Sequence, residues 1–209
     1  MWMKSDFDEF LNDAELGIKT IGRIDKHSDK SYFPYEPTTY AVLKRIAESE
    51  YLSGADCVLD YGCGKGRVPI YLHDTVGCRT IGVEVEKSFY EDALGNLNSY
   101  KEKFEKETDG ISLVRSKAQD FEVPEEVTAC FFFNPFSSDI LKNVMVKILE
   151  SVRKNPRSMF LFFFYPSDAY VALLSKIDEV MFVDEIDCTD IFPTENDPRN
   201  RVMIYEINA

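Results

Sequence analysis

Two carboxylates, Asp60 and Glu84, stand at the ends of two apolar runs, with glycines at alternate positions between them. The first stretch reads Val58-Leu59-Asp60-Tyr61-Gly62-Cys63-Gly64-Lys65-Gly66-Arg67. The second, Thr80-Ile81-Gly82-Val83, ends in Glu84 eighteen residues past Gly66. A strand running into a glycine loop, a helix leaving it and a second strand ending in an acid form half of a nucleotide-binding unit. In such units the acid accepts hydrogen bonds from ribose hydroxyls, a task suited to an acceptor-only carboxylate. Glycines let the backbone pass beside a ligand without a Cβ. Dinucleotide sites space them G-x-G-x-x-G around a pyrophosphate. Here the spacing is the shorter G-x-G-x-G, preceded two residues earlier by Asp60.

This D-x-G-x-G-x-G pattern resembles motif I of the class I S-adenosylmethionine (AdoMet)-dependent methyltransferases. The resemblance implies that Asp60 binds the amino end of the methionine moiety, partly through water, and that Glu84 binds both ribose hydroxyls. It further implies cofactor contacts at Tyr61, Gly62, Cys63, Gly64, Gly66 and Val85, with no pyrophosphate to cradle. Cys63 and Lys65 fill variable loop positions and are read as neither nucleophile nor ligand. After their third strand, family members commonly place an acid near the adenine amino group. This chain has Ser116-Lys117-Ala118-Gln119-Asp120-Phe121, so Lys117 departs from the pattern and Gln119 or Asp120 must do the polar work. Asp120 equally reads as a surface acid that caps a turn.

The fourth strand ends Phe133-Asn134-Pro135-Phe136-Ser137. This resembles the [Asp/Asn/Ser]-Pro-Pro-[Tyr/Phe] motif of amino-group methyltransferases, with one proline missing. The resemblance makes Asn134, Pro135 and Phe136 the catalytic set. The Asn134 oxygen and the next carbonyl accept hydrogen bonds from a substrate amine, the Phe136 ring stacks on it, and Asn134 also borders the cofactor. The competing reading is an Asn-Pro turn with Phe136 in the core. Tyr165-Pro166, ending the fifth strand, is expected to line the same crevice.

The elements that must position these groups follow from periodicity. Strands are expected at 56–60, 79–84, 111–115, 127–133, 159–165, 180–186 and 201–207, and helices at 66–73, 87–104, 138–153 and 167–177. Continuously apolar strands such as Met159 to Phe164 must be covered on both faces, which makes a doubly wound, mostly parallel seven-stranded α/β sheet. An antiparallel last strand is implied by the resemblance. Upstream, Phe7, Phe10, Leu11 and Ala14 form the expected inner stripe of a short helix over 5–15, and a further helix begins near Thr38 or Thr39. Helix 87–104 carries Tyr90, Ala93, Leu94 and Leu97 at helical spacing. The chain thus divides into an N-terminal helical and irregular cap, 1–50, and an AdoMet-dependent methyltransferase domain, 51–209. Within the cap, Tyr32-Phe33-Pro34-Tyr35-Glu36-Pro37-Thr38-Thr39-Tyr40 combines stiff prolines with amphipathic rings. It is read as a lid, with Tyr35 and Thr38 touching the cofactor; the alternative is a structural cover that caps the helix through a threonine. His27 reads as a solvated surface residue.

The 209 residues are 44% hydrophobic, enough for a substantial core, and the net charge is −13. An acidic surface disfavours nucleic acid, whose binding depends on basic groups that release counterions. A small-molecule or protein substrate is favoured. The five cysteines form no C-x-x-C pair and read as reduced thiols, without metal or disulfides, in a cytoplasmic protein. No signal peptide or membrane span is expected. The expected function is AdoMet-dependent methyl transfer to a nitrogen nucleophile. A non-catalytic AdoMet-binding subunit and an NAD(P)-dependent oxidoreductase stay open as alternatives.

Overall fold

The computed structural model describes residues 4–25, 31–105 and 108–208, with side chains from Phe7 onward; His27 lies outside the described residues. Two helices come first, α1 (Lys4–Leu16) and α2 (Tyr40–Ala47). Then follow β1 (Cys57–Tyr61), α3 (Arg67–Val76), β2 (Arg79–Glu84), α4 (Lys87–Phe104), β3 (Ile111–Arg115) and β4 (Ala129–Phe132). The remainder is α5 (Ser138–Lys154), β5 (Met159–Phe164), α6 (Asp168–Leu174), β6 (Val180–Asp187) and β7 (Arg201–Ile207). The strands form one sheet in the order β3-β2-β1-β4-β5-β7-β6. β7 runs antiparallel to both neighbours, and the other pairings are parallel. The sheet therefore has the seven strands and the reversed last strand expected of it. Among the described residues no helix is long and apolar enough to cross a membrane.

Strand alternation divides the core into two layers. Leu59, Phe132 and Leu161 pack with α5 on one face. Val58, Phe131 and Phe162 pack with α2 and α3 on the other. Both layers are dry, so each central strand has to be apolar at every position. Strand order reverses between β1 and β4, and ligands in such sheets sit in the crevice beyond the carboxyl ends at that switch point. Asp60, Glu84 and Asn134 lie at or just past the carboxyl ends of β1, β2 and β4. All five cysteines are free and buried.

Two local expectations fail, each because a polar group outweighs the apolar pattern. α1 turns its apolar stripe outward, with Phe7, Phe10 and Leu11 between 42 and 53% exposed while Asp13 is 3% exposed. Its inner face carries Glu9 and Asp13, which neutralise Arg67, a guanidinium only 3% exposed at the start of α3. Leaving such a charge buried and unpaired costs several kcal/mol, more than burying the outer stripe returns. Asp13 also accepts from Thr20 Oγ1 at 2.7 Å and Tyr40 OH at 2.6 Å, and the guanidinium lies 4.3 Å over the Tyr40 ring.

α4 has the expected period but a shifted phase. Phe89, Ala93, Asn96 and Tyr100 are buried, whereas Leu94 is exposed. Asn96 accepts from Lys19 N at 2.9 Å and donates to the Lys65 and Lys19 carbonyls, tying the helix to the glycine loop. At α2, Thr39 occupies the N-cap without a side-chain cap. Glu9 instead accepts the Tyr40 N–H at 3.0 Å.

Candidate active site

A cavity of about 280 Å³ opens beyond the carboxyl ends of β1 and β2. Its floor is Asp60, Gly62, Cys63 and Gly64, one wall is Val83, Glu84, Val85 and Phe89, and the roof is the segment Tyr32 to Thr38. Asp60 is 3% exposed, and its Oδ2 has no hydrogen-bond partner. Burial, reinforced by the nearby Glu84, pushes its carboxyl well above the usual carboxylate range. Glu84 accepts from Gly64 N at 2.9 Å and from Glu86 N at 2.8 Å. It thus braces the glycine loop while keeping lone pairs for a ligand. Burial raises its carboxyl too, against the lowering effect of those N–H donors.

The loop glycines are required by close approach. A Cβ on Gly62 would lie 2.6 Å from Pro135 Cβ, and one on Gly64 would overlap the Tyr35 ring. Both residues also have positive φ, 80° and 53°. Tyr35 is held in place over the loop. Its hydroxyl donates to the Thr20 carbonyl at 2.5 Å, and its ring centroid is 4.9 Å from that of Phe89. Arg67 donates to the Thr38 carbonyl at 3.0 Å, joining the roof to the helix that follows the loop.

A second recess, of about 470 Å³, shares Phe33, Pro34, Glu36, Pro37 and Phe133 with the first. Asn134, Tyr165, Phe192, Glu195 and Asn200 complete much of its wall. Asn134 has φ 42° and Tyr165 φ 51°, both left-handed and both just past the ends of adjacent strands. Asn tolerates this region whereas Tyr is strained there, and such strain concentrates at functional sites. The Asn134 Oδ1 is buried without a hydrogen-bond partner.

Tyr35, Thr38, Asp60, Gly62, Cys63, Gly64, Glu84, Val85, Pro135 and Phe136 line the first cavity, and Asn134 lines the second recess. Five expected cofactor contacts fall elsewhere, Asn134 among them because it lines the second recess and not the first. Tyr61 is fully buried and stacked on Phe132 at 5.0 Å, because strand alternation sends it to the face opposite Asp60. Gly66 adopts φ 84° to start α3, with its Cα packed toward Ala93, outside the cavity lining. Asp120 is exposed, and Gln119 lies outside the lining; Ser116 and Ala118 reach the cavity instead. The stacking role expected of Phe136 is also corrected. Its ring is 1% exposed and packs edge-on against Tyr61 and Phe132, and its carbonyl accepts the Tyr170 hydroxyl at 2.5 Å. The sequence reading passed over Arg67, Phe89 and Ser116. The charged Arg67 next to a glycine loop was the one available signal.

No family model matches the chain. It is 27% identical over 124 residues to a protein-lysine N-methyltransferase of Saccharolobus islandicus, covering 57% of this chain and 71% of that protein. It is 36% identical over 76 residues to an H3 lysine-79-specific histone-lysine N-methyltransferase of Dictyostelium discoideum, covering 36% of this chain. The matched stretch is only 4% of that much longer relative. Among solved structures, the human methyltransferase 10 domain containing protein superposes with a TM-score of 0.60 at 13% identity, covering 98% of this chain and 95% of the other. An RNA methyltransferase of Salinibacter ruber, in complex with S-adenosylhomocysteine, gives 0.55 at 15% identity over 83% and 93%.

The chain shares the fold of these methyltransferases, a seven-stranded sheet with an antiparallel last strand. The first cavity suits AdoMet chemically. The unpartnered Asp60 oxygen matches an ammonium group, and Glu84 keeps acceptor capacity for a diol. Glu84→Ala is expected to weaken AdoMet binding by ~1.5–3 kcal/mol, since hydrogen bonds to a charged acceptor are lost. The glycine loop loses its brace at Gly64 as well. Calorimetric titration checks this, and an unchanged dissociation constant would remove Glu84 from the site.

Proposed function

We propose that this protein transfers the methyl group of AdoMet to an amino nitrogen. One observation carries the choice of nitrogen: the Asn134 Oδ1 is a buried acceptor with no internal partner, on a residue that lines the second recess. Such an orphaned acceptor costs about 1–3 kcal/mol unless a donor arrives. A substrate N–H is such a donor, and its hydrogen bond aims the nitrogen lone pair. The names of the two lysine methyltransferase relatives support the same choice.

When bound, AdoMet supplies an electrophilic methyl on a sulfonium, so that the nitrogen–carbon bond forms as the carbon–sulfur bond breaks and its electron pair leaves on the thioether. The residues of the chain hold and orient. Asp60 takes the ammonium of the methionine moiety, Glu84 the ribose, and Tyr35 and Thr38 close the roof. Asn134 orients the acceptor, which enters as the ammonium, loses one proton to solvent in the recess and then attacks as the neutral amine. Holding two reactants at near-attack geometry accounts for ~7–11 kcal/mol of barrier, so no dedicated strong base is required.

The test is transfer of labelled methyl from AdoMet to a lysine-rich protein mixture, with the label then assigned to nitrogen by acid hydrolysis and amino-acid analysis. Label on carboxyl or hydroxyl oxygen overturns the choice of nitrogen. Tight AdoMet binding without transfer to proteins, small amines or RNA would mark a non-catalytic subunit.

A further inference from the structure

We infer that the second recess is the acceptor channel and that it admits an alkylammonium side chain, a lysine presented by a protein segment; this rests on the amine-methylation reading above. The wall is largely aromatic. Phe133 and Phe164 have ring centroids 4.7 Å apart, and Phe164 stands 6.4 Å from Tyr165 and 6.3 Å from Phe192. Such a panel accepts the methylene stem of a lysine, and ring faces attract its cationic head. Two carboxylates, Glu36 and Glu195, belong to the same wall. Among the described residues of the lining the one cation, Arg23, is paired with Glu36 at 2.9 Å and with Asp25 at 3.1 Å. Asn134, with its unpartnered oxygen, lines the same recess, and Phe33, Pro34, Glu36, Pro37 and Phe133 border both this recess and the cofactor cavity.

The panel is held rigid. Tyr165 donates its hydroxyl to Asp197 at 2.6 Å, receives a hydrogen bond from Arg199 at 2.7 Å, and carries that guanidinium 4.4 Å from its ring centroid. Its own N–H donates to the Arg201 carbonyl at 3.0 Å. These ties hold a bulky residue at φ 51°, a strain that persists only where surrounding structure over-determines it. The loop between β6 and β7 supplies Phe192, Glu195 and Asn200, which makes that loop the specificity element. A nucleobase amine fits poorly, because its phosphates would meet Glu36 and Glu195 while Arg23 of the described lining is already paired with Glu36 and Asp25.

The experiment titrates tetralysine into the protein saturated with S-adenosylhomocysteine, with a tetra-adenylate RNA as the competing class of ligand. Wild type is expected to bind tetralysine and not the RNA. Glu195→Lys is expected to weaken tetralysine binding at least tenfold, and Phe192→Ala at least fivefold. Both variants should retain S-adenosylhomocysteine affinity within twofold, which certifies an intact fold, and should raise KM for tetralysine with kcat changed less than threefold. Unchanged tetralysine binding and KM in both variants, preference for the RNA, or no tetralysine binding by wild type overturns the channel. Recess-dependent tetralysine binding without methyl transfer leaves the channel standing and sinks the amine-methylation reading instead.

Discussion

Replacing Asn134 by alanine or glycine is expected to lower kcat at least a hundredfold while AdoMet affinity stays within about threefold. A hundredfold corresponds to ~2.7 kcal/mol of barrier, and threefold in binding to roughly 0.65 kcal/mol. The split follows from position: Asn134 lines the second recess, whereas Asp60, Glu84 and the loop glycines line the first. Orientation lost at the reacting centre appears in kcat, and a uniform binding contact appears in KM. Two substitutions are needed because Asn134 sits at φ 42°. Alanine in that region costs about 1–2 kcal/mol of backbone strain, whereas glycine removes the amide and keeps the turn. Parallel loss in both variants isolates the side-chain oxygen. Normal turnover by the glycine variant would make Asn134-Pro135-Phe136 a structural turn and take away the main support for a nitrogen acceptor.

Asp60→Asn is expected to weaken AdoMet binding at least a hundredfold and yet stabilise the free protein. Removing one partner of a buried charge pair costs about 3–5 kcal/mol, and a hundredfold needs only ~2.7 kcal/mol. In the free protein the same carboxylate is a liability, since its Oδ2 is buried without a partner beside Glu84. Its carboxyl is raised in the folded state, so the fold binds more protons than the unfolded chain between their two pKa values. Stability from Asp60 is therefore fully present below the unfolded value of about 3.9 and is lost as pH rises through the raised folded value. Asparagine does not titrate, so its advantage grows with pH and disappears in acid. A gain of ~1 kcal/mol would lift Tm by about 2–4 °C for a chain of this size. Melting curves of both proteins between pH 5 and 8, without cofactor, check the sign. A lower Tm for Asp60→Asn at pH 8 would mean that Asp60 has a stabilising partner and is not held in reserve for a ligand.

Glycine spacing and the two acids were readable as a ligand-binding unit because backbone conformation and carboxylate chemistry are local properties of Asp60, Gly62, Gly64 and Glu84. Strand identities were readable for the same kind of reason: burial on both faces demands unbroken apolar runs, as in Met159 to Phe164. Sequence alone therefore determined the strands and the α/β class of the sheet, while its antiparallel last strand was implied by the resemblance. Which side chains face the ligand was decided by tertiary structure. Alternation at β1 sends Asp60 to the cavity and Tyr61 to the core, and pairing of Tyr61 with Phe132 draws Phe136 in after them. The buried Arg67 turned α1 so that Glu9 and Asp13 face inward, because an unpaired guanidinium costs more than an exposed apolar stripe. Only the Asn134–Tyr165 corner of the second recess was anticipated. Its walls come from residues as far apart in the chain as Phe33, Phe133 and Phe192, and only the folded sheet, by bringing the ends of β4 and β5 beside the β6–β7 loop and the roof segment, makes them one surface.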